Sequence, residues 1–99
     1  MATIRKPSTT RSGAAWSTAT IRAIWSKGKA VVGLNMDLYR HDTCNTLMEF
    51  NQYGNRNART GWEIDHIDPN GNDDPSNLQP LNWNNNAAKS DKTNWKCGQ

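Results

Sequence analysis

Residues 63–91 read EIDHIDPNGNDDPSNLQPLNWNNNAAKSD, and this stretch decides the fold. Apolar and β-favouring residues over 61–67 predict a strand, which Pro69 ends because proline cannot donate to a sheet ladder. The polar residues 68–76 combine Pro, Gly, Asn and Asp, the composition of a surface loop. A strand that runs directly into a long polar loop is therefore expected here.

The second half of the stretch predicts an extended segment followed by a helix. Residues 77–81 should be extended, because Pro80 disfavours the helical conformation at the residue before it. Asn82 is a good N-cap for a helix from Trp83 to about Asp91, which the alanines favour and the three asparagines do not.

The segment before residue 63 adds a strand and a basic helical layer. Residues 46–50 predict a strand that would form an antiparallel hairpin with 61–67, across a turn-rich loop of about ten residues. Ser17 or Thr18 is suited to cap a helix that runs to about Lys27 and that Gly28 would stop. The pair Val31 and Val32 suggests a short extended piece.

The chain is long enough for one domain only. It has 99 residues, 34% of them hydrophobic, and a mean hydropathy of −0.93, so its core must be small. We divide it into a flexible basic arm over 1–13 and a single α+β domain over 14–99, with its strand-and-helix core at about 44–92. Five tryptophans are either core aromatics that replace missing aliphatics or, as an alternative, platforms for base stacking.

Charge is distributed unevenly along the chain. Residues 1–36 contain no acid, whereas six of the nine acids lie within 63–91. A basic front half beside an acidic pocket suits a polyanion held by cations while carboxylates bind metal, and the alternative is a solvated basic tail. The candidate nucleic-acid-binding residues are Arg5, Lys6, Arg11, Arg22, Lys27 and Lys29.

The two cysteines, Cys44 and Cys97, leave two alternatives open. They form no CxxC pair, so a structural zinc site is not expected. Residues 1–20 are polar and lack the apolar region of a secretion signal, and no apolar run reaches the ~20 residues that span a bilayer. We therefore expect reduced thiols in a cytoplasm rather than a disulfide, and no membrane association.

Asp65 and His66 suggest hydrolysis of a phosphodiester. Such a reaction needs a base to activate water and a cation to offset charge, and histidine is the usual base near neutral pH. Asp65 with the amide oxygen of Asn86 would give the sparse oxygen ligand set that Mg²⁺ prefers. Side chains alternate along a strand, so both members of the pair can serve one site only if the strand ends or twists at His66.

Three further side chains complete the candidate site. Asn77 could hydrogen bond to backbone on both sides of the loop and fix the imidazole of His66. Glu63 shares the face of Asp65 and is either an accessory metal group or an exposed strand carboxylate. Lys89 follows Asn86 by three residues on the same helical face, where it would reach a phosphate or remain solvated.

The combination of GWEIDHI, SNLQPL and WNNNAAKSD resembles the HNH endonuclease family, in the form that has asparagine at the last position. Upstream, IWSKGKAVVG, YRHDTC and QYGN are similar to the leading part of small stand-alone bacterial and phage members. The similarity covers roughly residues 20–92. Two departures are the absence of zinc-binding Cys pairs and the Cys44-Asn45 pair where many relatives have Cys-Gly.

The resemblance implies a ββα-metal (His-Me finger) fold and a DNA substrate. It implies that His66 is the general base, that Asp65 and Asn86 hold Mg²⁺ or Mn²⁺, and that Asn77 braces the loop. The leading hypothesis is a metal-dependent DNA endonuclease in the cytoplasm of a bacterial or phage-infected cell, acting alone, as a homodimer or in a larger complex. The alternatives are a nucleic-acid-binding module that does not cut, and a structural or interaction protein.

Overall fold

A computed structural model describes residues 6–98 of the chain. Within that range the chain forms two α-helices and two antiparallel two-stranded sheets, which is compatible with the expected α+β class. The elements are α1 (Thr18–Trp25), β1 (Tyr39–His41), β2 (Leu47–Glu49), β3 (Trp62–His66), β4 (Leu78–Asn82) and α2 (Trp83–Lys89), with short 3-10 turns at Phe50–Gln52 and Pro75–Asn77.

Helix α1 begins where the sequence predicts. The Ser17 hydroxyl accepts a hydrogen bond from the Thr20 amide at 3.1 Å and so satisfies one of the amides that a helix start leaves unpaired. Ile24 and Trp25 are its buried residues. The helix ends one turn before Gly28, slightly short of the expected end at Lys27.

The predicted hairpin between 46–50 and 61–67 is wrong. Strand β2 pairs instead with β1, in the register Tyr39↔Glu49 and His41↔Leu47. The sequence did not predict β1, which has only three residues and therefore no readable alternation. The extended piece expected at Val31 and Val32 is not a strand, and Val32 is fully exposed.

Strand β3 pairs with β4 across a loop formed by residues 67–77. The register places Ile64 opposite Pro80 and His66 opposite Leu78. The Ile64 amide donates to the Ser8 hydroxyl at 2.9 Å, so it points away from β4. At such a non-hydrogen-bonded pair the backbone of both residues faces outward, and Pro80 loses no ladder bond there.

Helix α2 follows β4 without a loop, so β3, β4 and α2 form a continuous strand–strand–helix unit. The Asn82 side chain caps the helix by accepting from the Asn84 amide at 3.0 Å. Its own amide group donates to the carbonyls of Leu47 and Arg59. The predicted cap is present. Because the Asn82 side chain also bonds to a carbonyl of β2, it joins α2 to that strand, and the residue is fully buried.

Asp42, just after β1, is a second buried connection to this unit. Its carboxylate accepts from the amides of Cys44, Thr46 and Asn82 and from the side chain of Asn85. Only 1% of Asp42 is exposed, so these four bonds replace its lost hydration.

Trp25 and Trp62 lie in the core and Trp16 packs against it, as one sequence alternative proposed for the tryptophans. Trp62 lies 5.0 Å from Trp25 and 4.9 Å from Tyr53 between ring centroids. A buried indole ordinarily finds an acceptor for its N–H, but the buried Nε1 of Trp16 has no hydrogen-bond partner among residues 6–98. Trp25 donates to Met36, Trp62 to Phe50 and Trp83 to Ala58, in every case to a backbone carbonyl.

The N-terminal segment, here residues 6–15, lies against the domain. A bridge between Thr9 and Ala15 folds it into a turn, and the Ser8 hydroxyl contacts the hydroxyl of Tyr53 as well as the Ile64 amide. The sequence predicted a flexible basic arm over 1–13. Residues 1–5 lie outside the described residues, and Ser8 and Arg11 make specific contacts to the rest of the folded chain. The flexibility of the arm stays a prediction.

Cys44 and Cys97 form a disulfide, with their Cα atoms 5.5 Å apart. The expectation of reduced thiols is therefore wrong for this structure. Neither local spacing nor composition signals the pairing, because it depends on the chain after α2 returning to the β1–β2 turn. The two cysteines are 53 residues apart in the sequence, and the segment between them contains β2, β3, β4 and α2.

The longest helix among residues 6–98 has eight residues, and none there is long and apolar enough to cross a bilayer.

Candidate functional site

A cleft of about 830 Å³ runs along the edge of β3 that β4 leaves unpaired. The N-terminal segment forms one wall and α2 forms another. Asp65, His66 and Asn86 all line it, so the fold brings together the predicted base and the two predicted metal ligands. Three cations also line it: Lys6, Arg11 and Arg56.

The alternation of side chains along β3 does not separate Asp65 from His66. Asp65 lies on the side of α2, where it contacts Gln79 and Lys89. His66 lies on the other side, with its ring centroid 5.7 Å from that of Trp16. His66 is the last residue of the strand, and the cleft follows the strand edge, so both faces reach it.

Asp65 is a buried carboxylate held by two donors. Its Oδ2 accepts from the Gln79 side chain at 2.9 Å, and its Oδ1 lies 3.2 Å from the Lys89 ammonium. Burial raises the pKa of Asp65 above its ordinary value, while the Gln79 hydrogen bond and the Lys89 charge oppose that rise. Only 5% of the residue is exposed.

Lys89 matches neither alternative given for it, a phosphate contact or a solvated side chain. It is 97% buried, and its ammonium donates to the His66 carbonyl at 2.9 Å besides pairing with Asp65. A buried ammonium requires such partners because desolvation of an unpaired charge is expensive. Lys89 therefore connects α2 to the end of β3 at the predicted pair.

Glu63 and Asn86 meet one turn earlier on α2. The Asn86 side-chain amide donates to Glu63 Oε1 at 2.8 Å, and the Arg56 guanidinium forms a two-point pair with the same carboxylate at 2.8 and 2.9 Å. Glu63 is buried, so it is not the exposed strand carboxylate that one alternative described. Hydrogen bonding to Glu63 raises the pKa of Arg56.

The Asn77 side chain closes the 67–77 loop. Its oxygen accepts from the Asp68 amide at 2.9 Å, and its nitrogen donates to the carbonyls of Asp68 at 3.1 Å and Asn72 at 2.9 Å. Its backbone carbonyl accepts from the Ile67 amide at 2.8 Å, directly after His66. These are contacts on both sides of the loop, as the sequence suggested, and the catalytic role remains a prediction.

The predicted nucleic-acid-binding residues do not share one surface. Lys6 and Arg11 line the cleft. The Lys27 ammonium instead donates to the carbonyls of Pro75 and Leu78, and Lys29 donates to Asn45. Arg22 stacks over the ring of Phe50 at 4.7 Å, and Arg5 lies outside the described residues.

Asp65 and Asn86 are the two oxygen donors that the sequence predicted for a hard cation. Asp65 offers carboxylate oxygens, and Asn86 offers an amide oxygen that makes no hydrogen bond within the described residues, since its nitrogen serves Glu63. Residues 6–98 contain no cluster of three His, Cys, Asp or Glu side chains placed to hold a metal. Mg²⁺ and Mn²⁺ accept two protein oxygens when water or phosphate fills the remaining positions.

Two residues at the candidate site were missed at the sequence level: Arg56, which lines the cleft, and Asp73, which contacts a residue that lines it. Asp73 contacts His66 Nε2 at 2.8 Å, and Arg56 pairs with Glu63. Asp73 is one of two adjacent aspartates in a loop, and nothing in the sequence distinguishes it from Asp74. The one sequence pattern that involves Arg56 is its position seven residues before a strand carboxylate, and that spacing alone does not predict an ion pair.

The comparisons with known proteins find no matching family model, no matching curated protein and no matching solved structure.

Proposed function

We propose that the protein is a metal-dependent DNA endonuclease with a ββα-metal core, in which His66 is the general base. One observation carries the proposal: Asp65, His66 and Asn86 line a single cleft although Asn86 lies on a different element. The strand–strand–helix unit of β3, β4 and α2 supports the assignment, as does the resemblance of residues 63–91 to HNH endonucleases.

Each residue in the cleft has a chemical task in this proposal. A phosphate of DNA enters the cleft, where Lys6 lies at the wall and offsets its charge. His66 takes a proton from water, the water oxygen attacks phosphorus, and the bond to the leaving oxygen breaks. Asp65 and Asn86 would hold Mg²⁺ or Mn²⁺, which stabilises negative charge on the phosphate and on the leaving oxygen. Asn77 keeps the loop beside the base in place.

The surroundings of Asp65 favour a second candidate, a DNA-binding module that does not cut. The Lys89 ammonium already compensates the charge that a metal would use. In this alternative, Lys6 and Arg11 bind DNA and the buried Asp65–Lys89 pair is purely structural.

Supercoiled plasmid incubated with Mg²⁺ or Mn²⁺ separates the two candidates. We expect nicked or linear product, a rate at least about 100-fold lower for His66→Ala, and retained DNA binding. His41→Ala is the matched control, because His41 lies on β1 and does not line the cleft. EDTA should stop cutting, and added metal should restore it.

Binding without cleavage under every metal condition would support the non-catalytic alternative. Equal rates for His66→Ala and the parent would remove His66 as the base, and activity that persists in EDTA would remove the metal.

One cleft per chain cuts one strand at a time, so double-strand breaks would need a homodimer, a larger complex or two encounters. We place the activity in the cytoplasm of a bacterial or phage-infected cell. Thiols are kept reduced there, so the Cys44–Cys97 disulfide would be subject to reduction.

A further inference from the structure

We propose that Asp73 is a positioning residue for His66, which selects the ring nitrogen that accepts the proton. The inference deepens the proposed nuclease function and rests on it. It starts from one contact, the 2.8 Å separation between Asp73 Oδ1 and His66 Nε2.

The loop carries Asp73 to the imidazole, and the N-terminal segment holds it there. The backbone amide of Arg11 donates at 2.9 Å to the same Oδ1 that contacts His66. The Arg11 guanidinium donates to the carbonyls of Asn70 at 3.1 Å and Gly71 at 3.0 Å. Arg11 thus fixes both the carboxylate and the loop that bears it, from a position 62 residues away in the sequence.

The remaining surroundings of His66 restrict the ring further. Its exposed fraction is 7%, and the Trp16 ring lies beside it at 41° between planes. Lys89 holds the His66 carbonyl, and Asn77 holds the next amide. The backbone, the ring face and one ring nitrogen are therefore all occupied, so a rotation that exchanges the two nitrogens is obstructed.

A carboxylate at one ring nitrogen determines which nitrogen is the base. An ionised carboxylate only accepts hydrogen bonds, so Nε2 must carry the proton that it donates to Asp73. Nδ1 of the neutral ring then has the free lone pair. When water is activated, its proton moves to Nδ1, its oxygen bonds to phosphorus, and the bond from phosphorus to the leaving oxygen breaks. Asp73 stays ionised beside the imidazolium.

The test uses Asp73→Asn in the full-length protein, with Asp74→Asn as the matched control. Asp74 is the neighbouring exposed carboxylate, and its side chain makes no hydrogen bond within residues 6–98. We expect Asp73→Asn to lower kcat by about 10- to 100-fold with KM unchanged, the range typical of residues that orient a site ligand. Asp73→Glu, which keeps the carboxylate, should recover part of kcat.

Nuclear magnetic resonance of the imidazole nitrogens gives a readout that does not depend on cutting. The chain has two histidines, so His41→Ala assigns both signals. At mildly alkaline pH, where an ordinary imidazole is neutral, His66 should be in the Nε2–H form in the parent and in Asp74→Asn. Asp73→Asn should show a mixture of both tautomers.

Two results would overturn the inference: the same tautomer in Asp73→Asn as in the parent, or an equal fall in kcat for Asp73→Asn and Asp74→Asn. If the parent cuts no DNA but the tautomer changes as expected, the nuclease proposal fails while the Asp73–His66 pairing stands.

Discussion

Replacement of Lys89 by methionine should destabilise the protein because it leaves a buried carboxylate without its counter-ion. Lys89 and Asp65 are 3% and 5% exposed and lie 3.2 Å apart. At an effective dielectric constant of about 20, charges at that distance attract by about 5 kcal/mol. The variant regains part of this attraction energy, because it no longer has to desolvate the ammonium. We therefore expect a loss of about 3–5 kcal/mol in the free energy of unfolding.

Urea unfolding followed by tryptophan fluorescence measures this loss, with Lys92→Met as the control. Lys92 lies three residues further along the chain and is exposed, and its substitution should change the free energy of unfolding by less than about 0.5 kcal/mol. Combining Lys89→Met with Asp65→Asn removes both charges, and the pair should show a coupling energy of about 2–3 kcal/mol. A loss equal to that of Lys92→Met, or strictly additive effects, would refute the counter-ion role.

The same substitution has a predicted pH dependence. Burial raises the pKa of Asp65, so its neutral form favours folding below the ordinary value of about 3.9, and that contribution disappears as the pH rises through the raised pKa. Removing Lys89 raises this pKa further, since the ammonium charge acts to lower it. The loss in Lys89→Met should therefore grow from acidic to neutral pH, and a pH-independent loss would contradict the assignment.

Two further predictions concern stability and the loop. Reduction of the Cys44–Cys97 disulfide, or Cys44→Ser with Cys97→Ser, should lower the free energy of unfolding by about 4 kcal/mol, because the bridged residues are 53 apart in the sequence. Denaturation with and without reductant measures this loss. Two titratable thiols in the parent protein would exclude the disulfide. Asn77→Ala should lose about 1–3 kcal/mol with its three side-chain bonds and slow plasmid cutting, whereas Asn70→Ala, which removes no hydrogen-bonded side chain from the same loop, should do neither. Equal melting temperatures and cutting rates for the two variants would refute a role of Asn77 in holding the loop and in catalysis.

Local rules recovered the elements around the site better than their pairing. Asn82 was predicted as a cap, and Ser17 as one of two candidates with Thr18, because a capping side chain acts within three residues. The partner of β3 was predicted wrongly, since both 46–50 and 77–81 are short extended segments and pairing depends on contacts far along the chain. Strand β4 can pair with β3 because the loop that Asn77 closes brings the two strands together. The register also places Pro80 at a position that needs no ladder hydrogen bond, which the sequence alone does not reveal.

The sequence predicted that three residues would lie together, but it did not predict their surroundings. Asp65, His66 and Asn86 were expected in one site, and all three line the cleft. The burial of Lys89 was not foreseen, because the lysine of a short helix is ordinarily solvated. Its burial results from the packing of α2 against β3, where it contacts Asp65 and the His66 carbonyl, and spacing along the helix does not encode that tertiary contact.

The position of the N-terminal segment has a consequence for how the protein behaves in solution. An uncovered strand edge presents free amides and carbonyls to other chains and promotes edge-to-edge aggregation. Ser8 occupies the Ile64 amide on that edge of β3, and its hydroxyl also contacts Tyr53. We therefore expect a truncation that removes residues 6–15 to expose this edge of β3 to self-association, in addition to removing one wall of the cleft.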